Sequence, residues 1–309
     1  MEVRDIFAMR KEGRYEEAYQ AISHIYAFHQ GPHTNLCMFW CTNDILKLRL
    51  KEKKAEQSKK LLYQLIRLYP QTDDRLSQGN RAIVNAALAL DRLEDNFNFI
   101  YFMPYFNRLT DADWQPYMVN GHQVPSLGQQ VVNHLLKDLP SRSADYINQV
   151  ADIFHTAFQK SPYYKENLRH LAQMHTLLGH TDKAAAIYKK VLQRHHDSYL
   201  YAELAKLIDN EKTKTALYCM AVAHQRREEF RAKYHFELAL IMQAHSPRCA
   251  AYELGQYISI RQRHRQPLPS YALRLQKQLK SVNPISTEEE QQLYERAKGI
   301  VEELLTTRS

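Results

Sequence analysis

Between Leu168 and Gln193 the chain alternates apolar and polar positions at helical spacing on both sides of a single glycine. Leu168, Leu171, Ala172 and His175 precede Gly179; Ala184, Tyr188 and Val191 follow it. Residues three and four apart share one side of a helix, so each run predicts an amphipathic helix. A glycine in the interior of one continuous helix costs about 1 kcal/mol relative to alanine. Gly179 is therefore expected to end the first helix in the left-handed conformation and let the chain reverse into the second. The predicted element is a helical hairpin.

The same pattern returns twice further on. Leu168, Leu171, Ala172 and His175 are matched by Tyr201, Leu204, Ala205 and Ile208, then by His235, Leu238, Ala239 and Met242, at offsets of 33 and 34 residues. On the second helix Ala184, Tyr188 and Val191 are matched by Ala216, Met220 and Ala223, then by Ala250, Leu254 and Tyr257, at offsets of 32 and 34. Self-similarity of that period predicts stacked units, because one hairpin cannot bury its apolar side alone. The small residues let helix backbones approach, and their large neighbours fill the space beside them. Fainter echoes lie near the amino terminus. Gly13, Tyr15, Ala18, Ile22 and Ile25 repeat the turn and second helix, and Ile45, Leu46, Ala55, Ser58, Leu62, Leu65 and Pro70 outline another unit with Ser58 as its small residue.

These positions resemble the tetratricopeptide repeat (TPR), a helix-turn-helix unit of about 34 residues. Its first helix carries a large residue, then leucine and a small residue; glycine sits in the turn, and alanine and an aromatic follow on the second helix. Residues 168–196 match well. The two later units lack the turn glycine, and none of the three closes with proline where the family does. The resemblance implies an all-α superhelix of hairpins, a helical solenoid, whose first helices line a groove for a partner's peptide or helix.

The middle of the chain departs from the repeat. Residues 81–92 predict an apolar helix, and Phe97, Phe99, Tyr101, Phe102, Tyr105 and Phe106 crowd the next segment. Beyond Trp114, Pro116 and Tyr117, the pair Asn120-Gly121 predicts a turn, with an extended segment or small hairpin around it, and Ser126 is placed to cap a helix from Leu127. The expected organisation is degenerate hairpins over 1–75, an irregular aromatic-rich segment over 76–140 with a turn or hairpin near 114–125, repeats over 141–280, and a linker with a capping helix over 281–309. In that last helix Thr287 and Glu290 have capping-box spacing. Leu293, Ala297, Ile300, Val301, Leu304 and Leu305 form its apolar stripe, expected to cover the open side of the last repeat or to meet another chain. The order of "RKEGRYEEA", an aromatic helix, "DWQPY", "VPSLGQQV", the best repeat and "PRCAAYELGQYISIRQRHRQPLP" resembles the TPR-containing proteins of bacterial conflict loci known as TOTE systems. That resemblance implies a non-enzymatic accessory of nucleic-acid-directed effectors and supplies no catalytic residues.

Composition agrees with a helical chain: 8 glycines and 11 prolines in 309 residues. No apolar run reaches the length of about 18 residues that a membrane span needs, and no basic-then-apolar leader follows Met1, so a cytoplasmic protein without a membrane span is expected. Cys37, Cys41, Cys219 and Cys249 form no disulfide framework. His33, Cys37 and Cys41 are four apart and would share a helical face, but a structural zinc site wants a fourth ligand and none is evident. Buried thiols are the expectation, with no metal or cofactor. Phosphate-loop, dinucleotide, zinc-protease and serine-hydrolase motifs are absent, so no catalytic residue is assigned. Among 15 histidines, His170, His175 and His180 are five apart, about 500° of rotation, and do not share a helical face; His175 takes an inward repeat position. His195 and His196 fall where the end of a helix favours a cation.

Charge bears on partners. The net +8 is uneven: residues 224–280 hold 11 lysines and arginines against 4 glutamates, a balance of +7, and residues 281–309 hold 3 against 6, a balance of −3. Within the basic region Arg261, Arg263 and Arg265 alternate, too far apart in angle for one helical face. Two function classes fit. One is an interaction scaffold that takes a peptide or helix of a partner protein in the groove of stacked hairpins. The other is a nucleic-acid adaptor whose basic end, with Arg261, Arg263 and Arg265, meets phosphates. The aromatic segment is expected to be core, since phenylalanine outnumbers tyrosine there.

Overall fold

A computed structural model describes residues 2–72, 77–162 and 164–306, which carry sixteen α-helices and one two-stranded hairpin. The architecture is all-α and built of helical repeats. The chain divides into two compact units, Met1–Ser161 and Pro162–Ser309.

The first unit holds α1 (Val3–Lys11), α2 (Tyr15–Phe28), α3 (Pro32–Lys51), α4 (Ala55–Leu68), α5 (Gln78–Asp91), α6 (Met103–Phe106), α7 (Leu127–Asp138) and α8 (Ala144–Lys160). Gly13 has φ 80° and ends α1 with the pair of reverse bonds that defines a Schellman turn: Gly13 N–H to the Arg10 carbonyl and Arg14 N–H to the Met9 carbonyl. Lys53, φ 58°, makes the same turn between α3 and α4 without a glycine. Ala18 and Ser58 are fully buried at the small-residue positions, with Ile22, Leu46, Leu62 and Leu65 beside them.

Pro104, which has no N–H to give a preceding turn, sits at the start of α6 and breaks the aromatic segment into a 3-10 turn, Phe99–Phe102, and one α turn. Phe97, Phe99, Phe102 and Phe106 are buried as expected, whereas Tyr101 is half-exposed. The Asn120-Gly121 turn joins β1 (Tyr117–Val119) to β2 (His122–Val124), both turn residues having positive φ. Ser126 accepts a hydrogen bond from Gln129 N–H at 3.1 Å and caps α7. Behind that cap lies a close approach absent from any pattern: a Cβ on Gly128 would stand 2.3 Å from Cε3 of the buried Trp114.

The second unit holds α9 (Lys165–Leu177), α10 (Thr181–Leu192), α11 (Ser198–Ala205), α12 (Glu211–Ala223), α13 (Glu228–Met242), α14 (Pro247–Arg263), α15 (Ser270–Gln278) and α16 (Thr287–Thr306). Gly179, φ 75°, closes α9 with the same paired reverse bonds as Gly13: Gly179 N–H to the Thr176 carbonyl and His180 N–H to the His175 carbonyl. The repeat positions are core positions: Leu171, Ala172, Ala184, Tyr188, Leu204, Ala205, Ala216, Leu238, Ala239 and Ala250 are all buried. Ala223, matched to Val191 in the sequence, is exposed because α12 ends there.

The last helix differs from its expectation in two respects. Its cap is Ser286, whose hydroxyl accepts from Glu289 N–H at 3.2 Å while Glu289 accepts from Ser286 N–H at 2.8 Å, one residue earlier than the Thr287/Glu290 pair. It packs on the repeats as expected, but along the second helices, mainly α12 and also α10, and not over an open end. Tyr294 donates to Glu253 of α14 at 3.3 Å, Tyr252 of α14 donates to Glu290 at 2.7 Å, and Gln193 just beyond α10 donates to the Leu305 carbonyl at 3.0 Å. Ala297 and Val301 are the buried members of its stripe. It is α15 that adjoins the last hairpin, with Tyr271 against Phe236 of α13. No helix among the described residues is long and apolar enough to cross a membrane.

Candidate functional site

Stacking units of about 34 residues brings side chains one period apart into contact, and the polar bonds between hairpins record that spacing. Arg10 and Asp44 are 34 residues apart, Arg49 and Glu16 33, Arg169 and Glu203 34, and Tyr199 and Glu166 33.

The densest of these clusters lies on the first helices of the second unit. The Arg169 guanidinium on α9 holds Glu203 on α11 from two nitrogens, Nε at 2.9 Å and Nη2 at 2.6 Å, and reaches Glu166 at 3.3 Å. Such a two-pronged pair fixes orientation as well as distance. Tyr188 on α10 donates to Glu203 at 3.0 Å and Gln173 donates to it at 3.3 Å. The Tyr199 ring lies 4.5 Å from the guanidinium carbon, and its hydroxyl donates to Glu166 at 2.9 Å. Burial opposes the Arg169 charge, but Glu203 and Glu166 outweigh it and strengthen proton binding. Burial, reinforced by the carboxylates, pushes the Tyr188 and Tyr199 phenols up, so both are neutral donors at physiological pH. The cluster is polar and hydrogen-bonded across α9, α10 and α11.

Next to it a cleft of about 140 Å³ is lined by Tyr199, Ala202 and Glu203 of α11, Lys206 just beyond it, Tyr218 of α12, and Lys233, Tyr234 and Glu237 of α13. Lys206 and Lys233 are exposed, and the Lys233 ammonium lies 4.6 Å from the Tyr234 ring centroid. The cleft presents two exposed ammonium groups beside the half-buried Tyr199 and Glu237, with Tyr218 and Tyr234 buried behind them. A larger cleft, about 610 Å³, opens beneath α16 between Ala216, Ile241, Met242, Leu293 and Ile300, with Glu211, Lys212, His245 and Arg296 at its polar margin.

The three arginines singled out in the sequence have different surroundings. Arg261 donates to the Pro267 carbonyl from Nε at 3.1 Å and Nη2 at 2.6 Å, Arg263 pairs with Glu228 at 2.8 Å, and Arg265 is the left-handed residue after α14, with φ 52°. The histidines also differ from expectation. His175 is half-buried and not a core residue; the reversal at Gly179 brings its Nδ1 to 3.4 Å from that of His180, a pairing that rotation along one helix could not produce. His170 is the buried one, and burial pushes it down to about 4. His196 stacks with Tyr201 and His224, the last two 5.2 Å apart between centroids.

In the first unit Cys37 and Cys41 are free and buried while His33 is exposed, so the three do not gather. Among the described residues no three His, Cys, Asp or Glu side chains are grouped to hold a metal ion.

What sequence reasoning missed is the Arg169–Glu203 cluster, although opposite charges at the repeat period were available to find it. It also missed the Glu253 carboxylate, fully buried on α14, which His235 Nδ1 meets at 2.5 Å and to which Tyr294 donates from α16.

Residues 169–299, within the second unit, match a family model described as a domain of unknown function (DUF7017). A comparison with curated proteins gives no match. Among solved structures, the crystal structure of BtubC (BKLC) from P. vanneervenii is similar at 11% identity, covering 90% of this chain and 94% of that one, with a TM-score of 0.31. A structure from the computational design of self-assembling cyclic protein homooligomers follows at 12% identity, 98% and 94% coverage and a TM-score of 0.12.

Proposed function

We propose that the protein is a non-enzymatic, TPR-like interaction scaffold that binds a peptide or helix of a partner protein across the first helices of its second unit. The observation that carries this reading is the cleft between α11 and α13, walled by Tyr199, Tyr218 and Tyr234 and provided with Lys206 and Lys233. Glu203 on its lining is held from behind by Arg169, so that part of the surface is fixed before a ligand arrives, which lowers the entropic cost of binding. With Glu203 held by Arg169, Lys206 and Lys233 outnumber Glu237 and favour a segment that carries carboxylates, and the half-buried Tyr199 supplies apolar area with a polar tip. A cytoplasmic accessory role beside the effectors of a bacterial conflict system is the setting that the TOTE resemblance implies.

The test is a photo-crosslinking amino acid placed at position 206, at 233, and at Lys183, which is exposed on the second helix α10. One protein species crosslinked from 206 and 233 but not from 183 is expected, with the yield falling when the remaining cleft lysine is changed to glutamate. Equal capture from 183, or capture indifferent to that change, would remove the first-helix face as the site.

A further inference from the structure

The twenty residues 261–280 contain six lysines and arginines and no aspartate or glutamate. Elsewhere in the second unit cations are commonly matched by acids, as in Arg248 with Glu289, Arg227 with Glu229 and Lys165 with Asp197. Within the run, Arg261 and Arg263 have internal work. The first draws the Pro267 carbonyl back onto the end of α14, and the second pairs with Glu228. The turn they stabilise presents Arg265 in the left-handed conformation, its N–H on the Gln262 carbonyl at 3.0 Å. Arg265, Arg274, Lys277 and Lys280 are exposed, and among the described residues none has an acidic partner within ion-pair distance.

The helix α15 sets these cations beside an aromatic ring. Ala272, Leu275 and Leu279, three and four apart, are its buried side. Tyr271, Arg274 and Lys277 therefore follow one another on the outward side, with Cβ atoms about 5–6 Å apart. The Tyr271 ring is 50% exposed, while one side of it rests on Phe236 at 5.0 Å, and Phe236 rests in turn on Tyr257 at 4.9 Å. Tyr271 is thus held against Phe236 at a tilt of 49° and half-exposed, with Arg274 one turn away.

We infer that the end of α14, the turn after it and α15 form a binding surface for single-stranded nucleic acid, with Arg265, Arg274, Lys277 and Lys280 on phosphates and Tyr271 stacked on a base. Repeated phosphates satisfy cations spread over a surface, and an unpaired base offers a face to the ring; every base has such a face, so binding is tolerant of sequence. An acidic peptide would neutralise the cations and leave the ring without a partner. A lipid surface needs an apolar side to enter the interface, and the apolar side of α15 is already buried, leaving only Leu273, 48% exposed. This surface is distinct from the cleft between α11 and α13.

The experiment is fluorescence anisotropy of the full chain with a labelled oligothymidylate of about 20 nucleotides, titrated around 150 mM salt, on the order of the cell's ionic strength. Binding is expected in the sequence-indifferent range of about 10⁻⁴ to 10⁻⁶ M. Changing Arg274→Glu and Lys277→Glu together should weaken it by roughly tenfold or more and reduce the slope of log K against log salt by about 1.4, since each phosphate on a single strand contributes about 0.7. Tyr271→Phe should bind as the parent does, whereas Tyr271→Leu should lose roughly 5- to 160-fold, the range of one base stack; thermal melts establish that each variant is folded. The inference is overturned by an unchanged affinity and salt slope in the double reversal. It is equally overturned by tighter binding of the matching duplex, or by a glutamate-rich peptide or phosphatidylserine vesicles binding as well at the same salt.

Discussion

His170 and His175 lie on one helix five residues apart, and their surroundings differ because a helix turns about 100° per residue. His170 faces the core of its hairpin; His175 faces His180 across the turn. Burial is the largest influence on His170 and opposes its charge, Arg169 adds to the effect, and Glu166 and Glu203 oppose it, leaving the group at about 4 against an ordinary 6.5. Above the ordinary value His170 is neutral in both folded and unfolded chains and contributes no pH dependence. As pH falls from 6.5 towards 4, the unfolded chain takes a proton that the folded chain refuses, so stability is lost through that window. The shift corresponds to about 3 kcal/mol at 1.36 kcal/mol per pH unit. Urea unfolding at pH 7 and at pH 4.5 should therefore show a smaller acid loss in His170→Gln than in the parent. An identical loss in both would assign the acid sensitivity elsewhere.

For the elements, the sequence was most legible where a position repeats. Gly13 and Gly179 announced their turns because a left-handed residue at a helix end favours glycine, and both have the Schellman bonds. Lys53 makes the same turn with an ordinary residue, so composition could not announce it. The alanines at 172, 184, 205, 216, 239 and 250 were legible because a close helix approach excludes larger side chains at each repeat, and all are buried. The opposite charges of Arg169 and Glu203 stand one repeat period apart, but whether they meet depends on the register between hairpins. The basic run was visible, but which of its arginines are committed to Pro267 and Glu228 is decided by the path of the turn after α14. Ala184 tests the repeat directly. It is fully buried on α10, which packs against α9, and Ala184→Leu adds three carbons where there is no room, at a cost of roughly 1–3 kcal/mol. Chemical denaturation should report that loss, and a variant as stable as the parent would mean that the helices are not in close approach there.

In the second unit, taken as a whole, α16 does what no single hairpin can: it packs on α12 and hydrogen-bonds to α14 and to Gln193 beside α10 at once. Its contributions differ in kind. Val301 and Ala297 bury apolar surface, Ile285 ahead of the helix is buried as well, Tyr294 and Tyr252 tie it to α14 through Glu253 and Glu290, and Arg248 holds Glu289 at 3.0 Å. The exposed ion pair adds little, since surface pairs contribute about 0–1 kcal/mol. Burial dominates, because each fully buried large aliphatic side chain is worth about 1.5–3 kcal/mol. Losing Tyr294 also removes a hydrogen-bond donor to the Glu253 carboxylate, which His235 also meets. A chain ending after Pro284 should therefore melt at a lower temperature than the full chain and be less soluble, since the apolar residues under α16, Ala216, Ile241 and Met242 among them, would face water. Light scattering separates this from the alternative that the helix serves association. If the shortened chain melts as the full chain does, and the full chain alone forms oligomers, α16 is an oligomerisation element and its packing on α12 contributes little to the stability of the unit.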